Sequence, residues 1–437
     1  MSATDQSRAL RQTLDRWPSP AALLIFSLQW LVVAVPGVLV VGDLVAVAWG
    51  LDGAGRLAFQ QRLFLLMGLT QAAQVVFGHR LPGLVGPASV LLVGVLGSVS
   101  SGPGAVYGAM AIGGLVMALL GPTGWASRLG RLYTPPVLAS TLMLIAISLV
   151  PAMGRMVFDP AAAGRAWGAS FLFAMALACL ILWAQSRLRG LAGASMLMAG
   201  MVVGSAVYYL AGMGPWPGLP PASGQGLTLA TFAGPSLSFD LPVVLAFIIC
   251  SLALVANELG TLESLGRMMD LPDMEKRVGR SVAVGGLGCL AAGLLGVLGP
   301  VTYSVSPGVV LATDNASRWS LLPVALALVL LAFWPQGMGF FQLVPQPVAG
   351  AVLFCLMALT TYAALAVLEG GACAADRRSG LVVGASLVAG AIISFLPEDA
   401  RQAMHPYLRP VLGNGFVTGL LLAMILDRLL PRPSAAK

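Results

Sequence analysis

The sequence predicts an all-α polytopic membrane protein with about 14 transmembrane helices, arranged as a 7+7 inverted repeat. Three observations support this fold class: the composition, the recurrence of long apolar stretches, and a motif that occurs once in each half. Hydrophobic residues make up 58% of the 437 residues and charged residues only 9%, against about 25% charged residues in soluble domains. A soluble protein of this length could not cover its surface with so few charges.

The apolar stretches recur from end to end, and each can cross about 30 Å of hydrocarbon as a helix. Lipid offers no hydrogen bonds to the backbone, so the stretches are expected to be helical. With proline, glycine and charged residues as boundaries, the predicted spans are 21–42, 62–78, 87–98, 105–122, 136–152, 169–185, 191–212, 241–262, 281–298, 304–316, 320–335, 347–365, 380–396 and 410–427.

The basic residues indicate how the chain is oriented. An even number of spans places both termini on one side, and that side carries eighteen of the 24 Lys and Arg residues. Basic loops face the cytoplasm, so the net charge of +7 reflects topology and not nucleic acid binding. We therefore predict a multi-pass protein of the cytoplasmic (inner) membrane with both termini cytoplasmic. Its segments are a tail 1–20, a first repeat 21–212, an external loop 213–240, a second repeat 241–427 and a tail 428–437.

A GxxGPx[S/T] pattern begins at Gly83 and recurs at Gly296, and a second pattern recurs from Pro136 to Pro347 at nearly the same offset. Each predicted repeat has an odd number of spans, so the second enters the membrane from the opposite side, as in many secondary transporters. The alternative is chance, because glycine and proline are abundant. The repeated motif opens the short third and tenth spans, and Ser306 is expected to cap a half-helix there. Such paired interruptions point to a binding site at the membrane midplane.

Several short segments match one family in order and spacing. They are Ser27-Leu28-Gln29-Trp30, Thr70-Gln71, Gly78-His79-Arg80-Leu81-Pro82, Tyr133-Thr134-Pro135-Pro136-Val137, Thr302-Tyr303-Ser304 with Gly308-Val309, and Ala312-Thr313 with Ala316-Ser317-Arg318. They are similar to LQH, TxxQ, GxRLP, FPPVV, TYSENIGV and ATGVASR. Over nearly its whole length the chain thus resembles the nucleobase–cation symporter family of uracil/xanthine permease type.

The resemblance implies a core domain, a gate domain and short antiparallel strands in the third and tenth spans. The chain departs from the family at the substrate site. The family's eighth helix carries a carboxylate three residues before a glycine; aligned on Gly260, that position is Asn257, and Glu258 is displaced by one. The position after the glycine is Thr261. The family's Glu-Asn pair in the tenth segment is Val305-Ser306, and Ser89 stands where an aromatic residue is common.

The expected substrate site is therefore formed mainly by polar groups of the interrupted spans. Its members are Gln29, Ser89, Asn257, Thr302, Tyr303, Ser304, Val305 and Ser306. Each has a second interpretation. Asn257 and Gln29 can serve as interhelical hydrogen-bond partners, and the hydroxyls near Gly299-Pro300 can belong to a purely structural crossover. Glu258 is either a proton carrier inside the membrane or a solvated residue at the cytoplasmic end of its span.

These features predict a secondary active transporter that moves a nucleobase such as xanthine or uracil, or a similar small heterocycle, with a proton or cation as the coupling partner. A transporter of small anions with the same fold is the alternative. A membrane-embedded enzyme or a structural protein is a weaker one: the sequence has no HExxH, GxSxG or paired Asp motif, and a structural protein does not need interrupted spans at matching positions of two repeats. We expect no cofactor and no metal site. A homodimer is compatible with the family.

Overall fold

A computed structural model of the chain describes residues 13–125, 128, 134–158, 167–188, 192–193, 195–214, 234–313, 315–341, 343–370, 376–397, 399–400, 403–405 and 408–431. Most of the predicted loop 213–240, the ends of both predicted tails and the start of the seventh span lie outside these residues.

Helices dominate the first half, with one short strand before the third helix. The elements are α1 (Pro20–Ala48), α2 (Gly53–Val76), β1 (Val85–Pro87), α3 (Ser89–Gly97), α4 (Gly102–Leu120), α5 (Pro135–Val157), α6 (Trp167–Arg187) and α7 (Met196–Leu210).

The second half has the same order of elements, again with a strand before its third helix. They are α8 (Leu241–Met268), α9 (Met274–Leu295), β2 (Pro300–Thr302), α10 (Ser306–Thr313), α11 (Leu322–Ala332), α12 (Gln346–Gly370), α13 (Arg377–Ser394) and α14 (Gly415–Leu429). Two short helical segments, Pro335–Phe341 and Arg409–Leu412, precede α12 and α14.

Local sequence explains several helix boundaries. Asp52 accepts a hydrogen bond from the Gly55 N–H (2.7 Å), so α2 begins well before the predicted span 62–78. Asn414 caps α14 through the N–H groups of Phe416 and Val417. Proline at the first positions of α1, α5 and α8 is suited to a helix start, where its missing N–H is not needed.

Among the described residues, eight helices are long and apolar enough to cross a membrane. Their outer surfaces carry large exposed side chains such as Leu172, Trp183 and Tyr362, which suits contact with lipid. A membrane protein built of helices is thus confirmed. Several other predicted spans are shorter helices here, and the total of about 14 crossings remains a prediction.

The helices form two groups. In the first, α4 packs on α9 and α8, and α2 packs on α11 and α1. In the second, α5 packs on α12, α13 and α14, and α12 also packs on α6 and α7. Close packing within the first group depends on glycine: a Cβ on Gly286 would lie 2.2 Å from the Ala118 backbone nitrogen. Both strands and both short helices, α3 and α10, pack against helices of the first group.

The two strands form an antiparallel pair between the halves. Pro87 lies opposite Pro300, Gly86 opposite Val301 and Val85 opposite Thr302. The two prolines occupy the same position of the repeated GxxGPx[S/T] motif, so the motif pairs with its own copy. The predicted short strands of spans 3 and 10 are therefore present, directly before α3 and α10.

Part of the predicted N-terminal tail is packed against the connection between α10 and α11. Leu14 is only 2% exposed, and its carbonyl accepts from the Arg318 N–H (3.1 Å). Asp15 pairs with the Arg318 guanidinium at 2.8 Å, and Trp17 stacks on Trp319 with ring centroids 4.7 Å apart. Residues 14–17 thus form a docked N-terminal segment.

Candidate functional site

Two fully buried side chains fix the strand crossover. The Gln71 amide donates to the Gly83 carbonyl (3.1 Å) and accepts from the Val85 N–H (2.7 Å). The Ser306 hydroxyl accepts from the Leu84 N–H (3.0 Å) and donates to the Tyr303 carbonyl (2.6 Å). Ser306 was expected to cap its own helix or to bind substrate. Its hydroxyl is engaged in the crossover, and a role in substrate binding stays a prediction.

The Tyr303 ring occupies space left by two glycines. A Cβ on Gly86 would lie 2.1 Å from the Tyr303 Cζ, and a Cβ on Gly37 would lie 2.7 Å from its hydroxyl oxygen. Neither glycine can be replaced without displacing the ring. The Tyr303 N–H donates to the Leu84 carbonyl (2.7 Å). Tyr303 thus locks β2 to β1 and to α1.

Asn257 of α8 meets Ser304, which follows β2. The Ser304 hydroxyl donates to Asn257 Oδ1 (3.0 Å) and lies 3.2 Å from the Thr261 hydroxyl. Thr261 also reaches the Asn257 carbonyl (3.0 Å). Asn257 and Ser304 are both half-buried. We call Asn257, Thr261 and Ser304 the amide cluster; it joins two of the predicted site residues to a third polar group.

The amide cluster can present either edge of its amide. With Thr261 donating to Ser304 and Ser304 to Asn257 Oδ1, the amide NH₂ group is free to donate. If the amide turns over, its NH₂ donates to Ser304, Ser304 to Thr261, and Thr261 to the Asn257 carbonyl. In the first arrangement the Ser304 hydroxyl donates one hydrogen and accepts another, whereas the Thr261 hydroxyl only donates; in the second arrangement both hydroxyls donate and accept. The cluster is therefore suited to a neutral ligand with hydrogen-bonding edges.

Glu258, the next residue, faces a different environment. It is 4% exposed, so the interpretation of a solvated residue at the cytoplasmic interface is wrong. Thr302 donates to its carboxylate through the backbone N–H (2.9 Å) and the hydroxyl (2.7 Å). Ser281 of α9 donates to Glu258 Oε1 at 2.5 Å and also lies 3.1 Å from the Gln74 amide oxygen. We call Gln74, Glu258, Ser281 and Thr302 the carboxylate cluster.

A small, partly enclosed cavity adjoins the carboxylate cluster. It is lined by Glu258, Gln74, Ser281 and Thr70, with apolar neighbours. It offers about 10 Å³ to the centre of a water molecule, close to the roughly 10–15 Å³ that one water needs. Asn257 and Ser304 do not line it, so the two clusters are separate.

The other predicted site residues are less closely connected. Ser89 begins α3 and is half-buried, and Val305 packs against the core. Gln29 is 7% exposed on α1, eight residues from Gly37 and hence about 12 Å along the helix axis. Within the described residues, no hydrogen bond links Ser89 or Gln29 to either cluster.

A larger cavity of about 280 Å³ lies between the two helix groups, at the end of α1 and the start of α12. Asp43 on its wall accepts from the Gln346 amide (2.8 Å) and lies 3.7 Å from the Arg56 guanidinium. The hydrogen bond between Asp43 and Gln346 joins the first helix group to the second across the cavity.

His79 follows α2 and is fully buried. Its Nδ1 accepts from the Leu81 N–H (2.9 Å). Burial, together with the charges of Arg277 and Arg318, lowers the pKa of His79 to about 3. Its charge therefore does not change between about pH 5 and 8. In the part of the chain described, no group of three or more His, Cys, Asp or Glu could hold a metal ion.

Three residues of the site were not singled out from the sequence. Ser281 lies on the helix after that of Glu258, Gln74 lies far away in the chain on α2, and neither belongs to the repeated motif. Thr70 appeared only within a segment similar to the family. Polar residues inside an apolar span were the available signal: Gln71, Gln74 and Thr70 lie within a few residues of one another in α2.

The chain is similar to known permeases. The family model Xan_ur_permease, described as "Permease family", matches residues 21–399. The chain belongs to this permease family. The uric acid permease PucK of Bacillus subtilis is 24% identical over 412 residues, covering 92% of this chain and 94% of PucK. The xanthine permease XanP of Escherichia coli is 27% identical over 315 residues, covering 69% of this chain and 66% of XanP.

The fold of this permease is similar to that of a solved transporter. The transmembrane domain of the cyanobacterial bicarbonate transporter BicA superposes with a TM-score of 0.60 at 15% identity, covering 87% of this chain and 97% of that domain. This likeness supports a membrane transporter fold and carries no information on the substrate.

Proposed function

We propose that this permease is a secondary active transporter of a nucleobase, such as xanthine or uracil, or of a similar small heterocycle. The observation that carries the proposal is the amide cluster beside the strand crossover, in which Asn257 and Ser304 are half-buried, in a chain whose relatives include uric acid and xanthine permeases. Purines and pyrimidines carry donors and acceptors on one planar edge, and the Asn257 amide can pair with either.

The substrate would lie between α3 and α10, where both helices start beside the crossover. Asn257 reads one edge of the base, Ser304 orients the amide, and Ser89 contributes from the start of α3. Thr302, Tyr303 and Ser306 support the site by fixing the strands, and Val305 supplies an apolar wall. Gln29 is assigned to the more distant wall on α1.

We assign the first helix group to a core domain and the second to a gate domain, related by a 7+7 inverted repeat. Two observations support this assignment. The repeated prolines Pro87 and Pro300 face each other, as a local two-fold axis requires. In a 7+7 repeat α4 corresponds to α11, and α2 corresponds to α9. The contact of α4 with α9 is accordingly matched by the contact of α11 with α2. Rocking of the core against the gate alternates access, with both termini in the cytoplasm.

Coupling is assigned to a proton bound at Glu258. An acid inside a membrane span is costly and commonly functional, and within the described residues no Lys, Arg or His pairs with this one. The rival is a small anion, such as bicarbonate or sulfate, carried on the same fold.

The test is thermal stabilisation of the purified protein in detergent with xanthine, uracil, uric acid, bicarbonate and sulfate. A ligand at about 100 times its dissociation constant stabilises by roughly 2.7 kcal/mol. We expect stabilisation by at least one nucleobase, its loss in Asn257→Ala, and its retention in the matched control Ser205→Ala. Ser205 is a half-buried hydroxyl on α7 that bonds Met201 of its own helix.

Stabilisation by an anion alone would replace the nucleobase assignment with the rival. Stabilisation by a base that survives in Asn257→Ala would leave the substrate class intact and remove Asn257 from the site.

A further inference from the structure

We infer that one water molecule occupies the small cavity beside Glu258, and that this water, with Ser281 and Thr70 as positioning residues, forms the binding site of the transported proton. The inference rests on the proposed function and specifies how its coupling step is built.

The first support is the unused capacity of the carboxylate. An ionised carboxylate has about four acceptor sites, and the protein supplies three donors: the Thr302 N–H, the Thr302 hydroxyl and the Ser281 hydroxyl. One acceptor site of Glu258 remains, on a side chain that lines the cavity. A water donor there completes the shell of the charged form.

The second support is that the neutral form is satisfied without moving any heavy atom. When Glu258 is protonated, its new O–H can donate to the Ser281 oxygen. The Ser281 hydroxyl then turns to the Gln74 amide oxygen, 3.1 Å away. The Gln74 amide is held in place, because it donates to the Ser281 carbonyl (3.0 Å) and accepts from the His79 N–H (3.3 Å).

A buried charge normally destabilises a protein unless a partner compensates it. Here rotation of the Ser281 hydroxyl provides hydrogen-bond partners for both charge states of Glu258. The carboxylate can therefore gain or lose a proton while the surrounding side chains keep their packing.

The third support is Thr70. It is 5% exposed and lines the cavity, and in the described part of the chain its hydroxyl has no hydrogen-bond partner. Buried polar groups rarely remain unpaired, and a buried water typically makes about three hydrogen bonds. The Thr70 hydroxyl and the Glu258 carboxylate provide two partners, and the Ser281 and Gln74 oxygens lie on the same wall.

The proton balance is simple. A hydronium ion reaching the cavity gives its proton to the Ser281 oxygen while the Ser281 hydroxyl proton passes to Glu258 Oε1, so that an O–H bond forms on Glu258, the Ser281 hydroxyl is formed again, and a neutral water remains. Release reverses this step. Since the cavity is lined by neither Asn257 nor Ser304, the proton and the substrate bind at separate places on the core domain.

The experiment compares two transport assays in proteoliposomes. Counterflow exchange of a labelled nucleobase needs the substrate site but no gradient, whereas accumulation driven by a pH gradient needs coupling as well. The variants are Glu258→Gln, Ser281→Ala, Thr70→Val and Thr70→Ser, with Thr360→Val on α12 as the matched control. The Thr360 hydroxyl bonds Leu356 of its own helix.

We expect accumulation to fall at least tenfold more than counterflow in Glu258→Gln and Thr70→Val, with accumulation restored in Thr70→Ser. Ser281→Ala should show the same split, and Thr360→Val should show none. Glutamine can replace the neutral form of Glu258 and still donate to Ser281, so this variant is the one expected to keep the fold.

Three outcomes would overturn the inference: equal losses in both assays for Thr70→Val and Glu258→Gln, undiminished accumulation in Thr70→Val, or accumulation that follows a sodium gradient instead of a pH gradient. Absence of counterflow in the unmodified protein would count against the proposed function instead.

Discussion

Asn257 and Glu258 are neighbours in α8, yet they face two different regions of the molecule. Successive residues of a helix point about 100° apart, and α8 runs without a break from Leu241 to Met268. Asn257 is half-buried among hydroxyls that accept or donate freely. Glu258 is 4% exposed and its carboxylate accepts three hydrogen bonds beside the small cavity. One helical step thus separates a neutral, adaptable surface from a buried charge.

The difference shows how this permease can carry Asn257 beside the crossover and still keep an acid one residue further along the same helix. Glu258 does not join the amide cluster, because α8 does not unwind. It lies on the other side of the strand crossover, where Thr302 of β2 contacts it while Ser304 contacts Asn257. Thr302 and Ser304, two residues apart in β2 and the residues after it, therefore contact different clusters: Thr302 belongs to the carboxylate cluster and Ser304 to the amide cluster.

The sharpest contrast should appear in stability. Glu258→Ala leaves the Thr302 N–H and the Thr302 hydroxyl without their acceptor, at about 1–3 kcal/mol for each buried group left unpaired, whereas Ser281 can still donate to the Gln74 amide oxygen. We expect a loss of about 3 kcal/mol or more, against under about 1 kcal/mol for half-buried Asn257→Ala. Thermal unfolding in detergent measures both. Equal losses would contradict the division into a buried and an open region.

A change in the crossover between the regions should have a smaller effect. Gly86→Ala places a methyl group 2.1 Å from Tyr303 Cζ, and overpacking of this kind costs about 1–3 kcal/mol. The matched control is Gly384→Ala on α13, where a Cβ meets nothing within 4 Å. Adding Tyr303→Ala should make the Gly86→Ala cost smaller in a double-mutant cycle. An unchanged cost would show that Tyr303 is not the contact that matters.

The smallest effect should fall on ligand preference. Ser304→Ala removes the hydroxyl that orients the Asn257 amide, and one hydrogen bond is worth about 0.5–1.5 kcal/mol. We expect the ratio of xanthine to uracil affinity to change by roughly 3–10-fold, with coupling to the pH gradient preserved. Competition against a labelled base provides the measurement. A loss of coupling without a change in preference would mean that the two clusters act as one.

Much of the fold could be predicted from the sequence. The apolar spans and the repeat of Gly83 at Gly296 follow from local patterns, and the strands before the short helices were implied by the resemblance to the family. The start of α2 was missed because polar residues such as Gln60 and Gln61 lower its hydropathy, although both are buried in the structure. A pattern of apolar residues does not show that a glutamine is buried when its hydrogen-bond partner lies far away in the sequence, as Ala332 does for Gln61.

The candidate site was predictable only in part. Asn257 and Ser304 come from segments with recognisable patterns, and the structure brings them together. Ser306 and Tyr303 were placed in the right segment, but their contacts depend on β1, which is more than 200 residues away. The partners of Glu258 come from α9 and β2. Such contacts depend on how helices pack, which no local pattern contains.

The docked N-terminal segment bears on how the protein is made. Leu14 and Asp15 leave the ribosome early, whereas Ser317 to Trp319, which hold them, follow about 300 residues later. At roughly 5–20 residues per second of synthesis, residues 14–17 wait some tens of seconds for their partners. Residues 14–17 can dock only after α10 and the start of α11 have been synthesised and folded. A fluorophore at Trp17 would therefore show when this part of the first helix group forms during translation.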